Sequence, residues 1–122
     1  MQAFLISALT GMFLSVSVSL ASATELLMFE QVGCVWCAKW NAAIAPVYPK
    51  TSEGKFAPLH RIDIDTGSRK GLHLSAPVHY TPTFIVVQNG KELGRVEGYP
   101  GEDFFWGLLD KILVKTTDYK GE

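Results

Sequence analysis

Two cysteines separated by two residues, in Gly33-Cys34-Val35-Trp36-Cys37, stand where the hydrophobic pattern of the chain changes its period. Before them, Leu26-Leu27-Met28-Phe29 is a wholly apolar run, the pattern of a strand buried on both faces, and Gly33 supplies a turn after it. After them, from Cys37 to Val47, residues Ala38, Ala42, Ala43, Ile44 and Val47 fall among Lys39 and Asn41 in an amphipathic helical pattern that Pro46 should kink or end. A C-x-x-C at this junction puts Cys34 at a helix N-terminus. Free amide groups and the positive end of the helix dipole there stabilise a thiolate and lower the thiol pKa. Cys37, one turn later on the same face, can reach a mixed disulfide formed on Cys34 and expel the reduced product.

The rest of the chain continues to alternate. Pro49 to Pro58 is polar and bounded by Gly and Pro, and Leu59 to Asp65 alternates apolar with polar at period two, a second strand. Asp65 or Thr66 is placed to cap a short helix across Arg69-Lys70-Gly71-Leu72, which Gly67 and Gly71 weaken. Thr83 to Val87 reads as the clearest strand, and Asn89-Gly90 is a hairpin signal leading to a partner strand over Glu92 to Val96. Pro100-Gly101-Glu102-Asp103 opens a final helix with an apolar stripe of Phe104, Phe105, Leu108, Leu109, Ile112 and Leu113. Thr116 to Glu122 is expected to fray. The order strand, helix, strand, weak helix, strand, strand, helix predicts an α/β domain in which helices cover a four-stranded mixed sheet.

The first 23 residues differ in kind. They carry no charged side chain and run apolar from Phe4 to Leu20 before Ala21-Ser22-Ala23, an A-x-A pattern. The expectation is a signal peptide over residues 1–23, cleaved after Ala23, and a single exported, periplasmic domain over 24–122. Met1-Gln2-Ala3 lacks the Lys or Arg usual at the start of such a segment. A formal net charge of -1 excludes an electrostatic case for nucleic acid as partner, and two cysteines exclude a multi-bridge scaffold.

The cysteine pair has duller readings. A bridge around two residues constrains the unfolded chain little, which argues against a structural staple. Zinc needs two further ligands, and His60, His73 and His79 are neither paired at helical spacing nor beside a second C-x-x-C. Covalent haem attachment requires a histidine after the second cysteine, where Ala38 stands. An oxidase or isomerase remains a rival within the enzymes, and a metal-binding or metal-delivery module is the rival from another class.

Thr81-Pro82 lies directly before the Thr83 strand, at a position where proline is tolerated because it starts the strand. With the C-x-x-C after the first strand, it makes nearly the whole of residues 24–122 resemble the thioredoxin family, whose fold packs a cis-proline loop against the redox cysteines. The segments Glu25 to Gln31, Arg61 to Asp65, Thr81 to Phe84 and Gly98 to Leu109 are similar to the SoxS-type periplasmic thioredoxins of bacterial sulfur oxidation. The resemblance implies a minimal, glutaredoxin-like thioredoxin fold and a thiol-disulfide oxidoreductase, with Cys34 as nucleophile and Cys37 as resolving thiol. It also implies that Thr81 and Pro82 dock the substrate, while Val35 and Trp36, a bulky pair between the cysteines, are read from their position as substrate contacts. No cofactor is expected beyond the redox-active Cys34-Cys37 disulfide. Implied partners are the SoxYZ sulfur carrier as client and a membrane thiol-disulfide transporter as electron donor, with glutathione mixed disulfides as further substrates of a monomer.

The sequence departs from ordinary thioredoxin between the cysteines, and Met28 occupies the place of the buried acid six residues before the first. Glu30 is a weak replacement. Among the aromatics, Trp36 is expected to meet a partner, Trp40 and Trp106 to pack, and Tyr99 either to approach the redox face or to cap the core. The three histidines are read as surface residues.

Overall fold

The computed structural model describes residues 11–17 and 23–121. Most of the expected signal peptide lies outside the described residues, and 11–17 are exposed and without regular structure. Among the described residues, no helix is long and apolar enough to cross a membrane.

The strands are β1 (Thr24–Glu30), β2 (Leu59–Asp63), β3 (Thr83–Gln88) and β4 (Lys91–Glu97). The helices are α1 (Val35–Ala43), α2 (Ser52–Phe56) and α3 (Glu102–Thr116), with one 3-10 turn at Tyr48–Lys50. The sheet order is β2-β1-β3-β4, in which β1 runs parallel to β2 and the other pairs are antiparallel. This is the expected mixed sheet. The hairpin forms at Asn89-Gly90, both at positive φ as that tight turn requires.

Side chains alternate across the sheet and divide the core in two. Leu26, Met28, Phe84 and Val86 face a cluster with Trp40, Ile44, Tyr48, Phe105, Leu109 and Leu113 from the helices. Leu27, Phe29, Ile62, Ile85 and Val87 face the other way, where the partly buried Leu72, Leu74 and Val78 pack against them and the Arg69 guanidinium lies 5.1 Å from the centre of the Phe29 ring. β1 is buried on both faces for this reason, as its continuous apolar run predicted.

The structure differs from the sequence reading in five places. No helix forms over 69–72, where the chain between β2 and β3 is irregular. Gly67 and Gly71 weaken a helix there, Gly71 sits at positive φ, and Leu72 and Leu74 instead lie on the second sheet face. The polar stretch after Pro49 does hold structure: Thr51 caps α2 by accepting a hydrogen bond from Gly54 N at 3.0 Å, and Tyr48 OH donates to Ala57 O at 2.6 Å. The stripe on α3 is narrower than six residues. Phe105, Leu109 and Leu113 are buried, whereas Phe104 and Leu108 are exposed. Nor does the end simply fray, because Tyr119 is buried, its hydroxyl 2.9 Å from Ser52 Oγ and its ring 5.2 Å from that of Phe56. The first helix also stops at Ala43, before Pro46.

Candidate redox site

β1 ends at Glu30 and the chain turns through Gly33, at φ 82°, into α1. Cys34 is the N-cap residue, with extended backbone angles of φ -74° and ψ 108°. Its Sγ accepts a hydrogen bond from Cys37 N at 3.1 Å, so the sulfur occupies the place that a serine or aspartate oxygen takes at other helix starts. No acidic side chain lies in the first turn of α1 to offset the positive end of the dipole. Cys34 is half-buried and Cys37 is only 4% exposed, and the two form a disulfide with Cα atoms 5.2 Å apart. Cys34 is thus the more accessible of the two and Cys37 the shielded one, the arrangement needed if one cysteine is to attack and the second to resolve.

The residues beside the cysteines are outward. Val35 and Trp36 are exposed, and Lys39 Nζ lies 4.3 Å from the centre of the Trp36 ring, a cation-π contact that holds the indole against α1. Thr81-Pro82 forms a cis peptide bond, with Pro82 buried and Thr81 partly so. The following Thr83 pairs with Phe29, so the proline turn and the cysteine turn leave the same end of neighbouring strands. Pro82 O accepts from Gly98 N at 2.7 Å and Tyr80 O accepts from Thr83 Oγ1 at 2.7 Å.

The other aromatics resolve as follows. Trp40 is fully buried between Phe84 and Phe105, at ring distances of 5.0 and 5.7 Å, and Trp106 stacks on Tyr48 at 6.0 Å. Tyr99 packs edge-on to Phe105 and caps the core. His60, His73 and His79 are exposed. Among the described residues no group of three or more His, Cys, Asp or Glu side chains is arranged to hold a metal ion.

Two polar features were less legible. Met28 is fully buried, and Arg61, its partner across the β1–β2 register, donates to Glu30 Oε2 at 2.6 Å and weakly to Met28 Sδ at 3.6 Å. Strand pairing created that contact, and only Glu30 had been singled out. Further from the disulfide, Asp110 of α3 meets Glu53 of α2. Burial, and then the neighbouring carboxylate, raise the Asp110 carboxyl to about 6. A Thr51 cap followed by Glu53 in the first turn was the sequence signal for α2.

A sheet of this order, with an N-capping Cys34 bonded to a shielded Cys37 and a cis-proline turn at the same end, defines a thioredoxin-fold thiol-disulfide oxidoreductase. Residues 17–113 match the thioredoxin-like domain family, and the chain belongs to that family. It is similar to the periplasmic thioredoxin SoxS from Paracoccus pantotrophus in its reduced form, at 50% identity over 75% of this chain and 97% of that one, with a TM-score of 0.73. The fold also matches the Malassezia sympodialis thioredoxin Mala s 13, at 21% identity over 72% of this chain and 73% of that one, TM-score 0.54. Fasciola hepatica thioredoxin matches at 19% identity over 73% and 80%, TM-score 0.56. No curated protein matches the chain.

Proposed function

We propose that this protein is an exported, periplasmic reductant that restores a protein thiol by dithiol-disulfide exchange, with the SoxYZ sulfur carrier as its client. Cys34 is the attacking thiolate and Cys37 the resolving thiol. Val35 and Trp36 contact the client beside Cys34, and Thr81 and Pro82 receive its extended chain. Electrons reach the oxidised pair from a membrane thiol-disulfide transporter, and small mixed disulfides such as those of glutathione are secondary substrates. The observation that carries the reading is the contrast between a half-buried, N-capping Cys34 and a shielded Cys37, in a chain half identical to a periplasmic SoxS.

The test is a trap. A Cys37→Ser variant cannot resolve its mixed disulfide, and should accumulate, in a periplasmic extract of sulfur-oxidising cells, an adduct through Cys34 to one cysteine of the carrier. Adducts spread over many unrelated proteins, or none with the carrier, would sink the assignment of client. Equilibration against glutathione settles the direction of electron flow, because a strongly oxidising potential would mark an oxidase instead.

A further inference from the structure

Resolution by Cys37 requires a proton to leave a sulfur that is 4% exposed. The neighbouring Met28 has no group to accept it. Cys37 does face a groove of about 290 Å³ beside the disulfide, and two carboxylates line that groove, Glu30 and Asp63. Asp63 is engaged elsewhere: its Oδ1 accepts from Asp65 N at 2.8 Å and Thr66 N at 3.0 Å, which hold its carboxyl below the usual range. Those two bonds tie Asp63 to the turn that follows β2.

Glu30 is placed differently. Its Oε2 takes the Arg61 guanidinium at 2.6 Å, and among the described residues no hydrogen bond falls on its Oε1. Arg61 also lies against the Trp40 ring at 5.8 Å, and Trp40 belongs to the helix that carries Cys37. That contact ties the position of Glu30 to α1. Asn41, one turn beyond Cys37, lines the same groove with Oδ1 buried and unpartnered. The charged groups facing Glu30 are Arg61 and Asp63 of β2 and, beyond Gln31, Asp65, whose Oδ2 accepts from Gln31 Nε2 at 2.8 Å. From α1 the groove receives only Cys37, Ala38 and Asn41, with Cys34 at its cap.

We propose that Glu30 accepts the Cys37 proton through this groove, that Arg61 is its positioning residue, and that Asn41 orients solvent along the path. This inference rests on the assignment of Cys37 as resolving thiol. In the step, the Cys37 S–H proton passes to the Glu30 carboxylate and the Cys37 thiolate attacks Cys34 Sγ. The Cys34–Cys37 bond forms as the bond from Cys34 to the client sulfur breaks. The electron pair leaves on the client sulfur, which is reduced and takes up a proton, while the protein dithiol is oxidised.

The experiment mixes the reduced full-length protein with a symmetric aromatic disulfide whose released thiol absorbs light. The first release reports attack by Cys34, the second resolution by Cys37. Glu30→Gln should leave the first release within about twofold and slow the second by roughly 10- to 100-fold at pH 7, moving its pH profile upward. Glu30→Asp should recover part of the loss, and Arg61→Met should slow the second release to an intermediate degree. An unchanged second release and pH profile in Glu30→Gln would overturn the proposal, as would a loss carried by Asp63→Asn instead. Cys37→Ser separates the two levels. It must keep the first release and lose the second, and a second release from that variant would overturn the role of Cys37 itself.

Discussion

Replacing Trp36 with alanine removes the largest exposed side chain next to Cys34. The indole is 53% exposed, and Lys39 holds it 4.3 Å from its charge, so a client meets a ring already in place. An aromatic side chain buries ~150–250 Å² when fully covered. With about half of this ring facing outward and a client covering about half of that, ~60 Å² leaves water on docking, or about 1.5 kcal/mol at ~25 cal/mol per Å². That approaches the hot-spot range and corresponds to roughly a 10-fold loss in kcat/KM toward a protein client. A small disulfide covers almost none of the ring, so its rate should stay within about twofold. The assay compares parent and Trp36→Ala with the trapped client and with a small aromatic disulfide under the same conditions. If both substrates slowed equally, the indole would be acting on the thiol chemistry, and its part in client recognition would be wrong. An unchanged client rate would be equally damaging.

The Asp110 carboxyl, raised to about 6, keeps its proton in the folded chain where the unfolded chain has lost it, so this carboxyl makes a contribution to stability that declines as pH rises from about 4 through 6, opposite in sign to that of Glu53, whose carboxyl is lowered. Asp110→Asn should flatten that decline and be more stable at pH 7 by on the order of 1 kcal/mol, a figure reduced for solvent screening because the carboxyl is partly exposed; identical melting profiles against pH would refute the account. In the reduced protein, Cys34 should alkylate at lower pH than Cys37 and at least ~10-fold faster at neutrality; equal rates measured by mass spectrometry would remove the basis for distinct roles. Gly54→Ala would drive a Cβ into the Tyr48 carbonyl, so it should cost about 1–3 kcal/mol in denaturant unfolding. A midpoint like the parent's would mean that the turn before α2 moves aside freely.

The strands around the cysteines, the hairpin and the long last helix were legible because each is announced by a local signal. A two-sided apolar run, Asn89-Gly90, and acidic residues ahead of a 3.6-residue period report backbone geometry within a few residues of themselves. Cys34 and Cys37 were legible for the same reason, since a cap and a residue one turn later are local facts, and the Thr81-Pro82 turn was marked by its proline. What periodicity does not encode is the shape of the neighbouring surface. Phe104 and Leu108 fit the stripe of α3 yet face outward, because the core takes Phe105, Leu109 and Leu113 fully and Ile112 in part, from the other side of the helix. Leu72 leaves a helical reading for an irregular chain, in which it and Leu74 cover a sheet face. The Arg61–Glu30 pair joins residues 31 apart in sequence, and the Ser52–Tyr119 contact joins residues 67 apart. The sequence alone therefore determined the four strands, the first and last helices, and where the sulfur chemistry sits. Only the tertiary structure decided which polar groups stand beside that sulfur, because strand register and helix docking bring those side chains together across separations that no local pattern records.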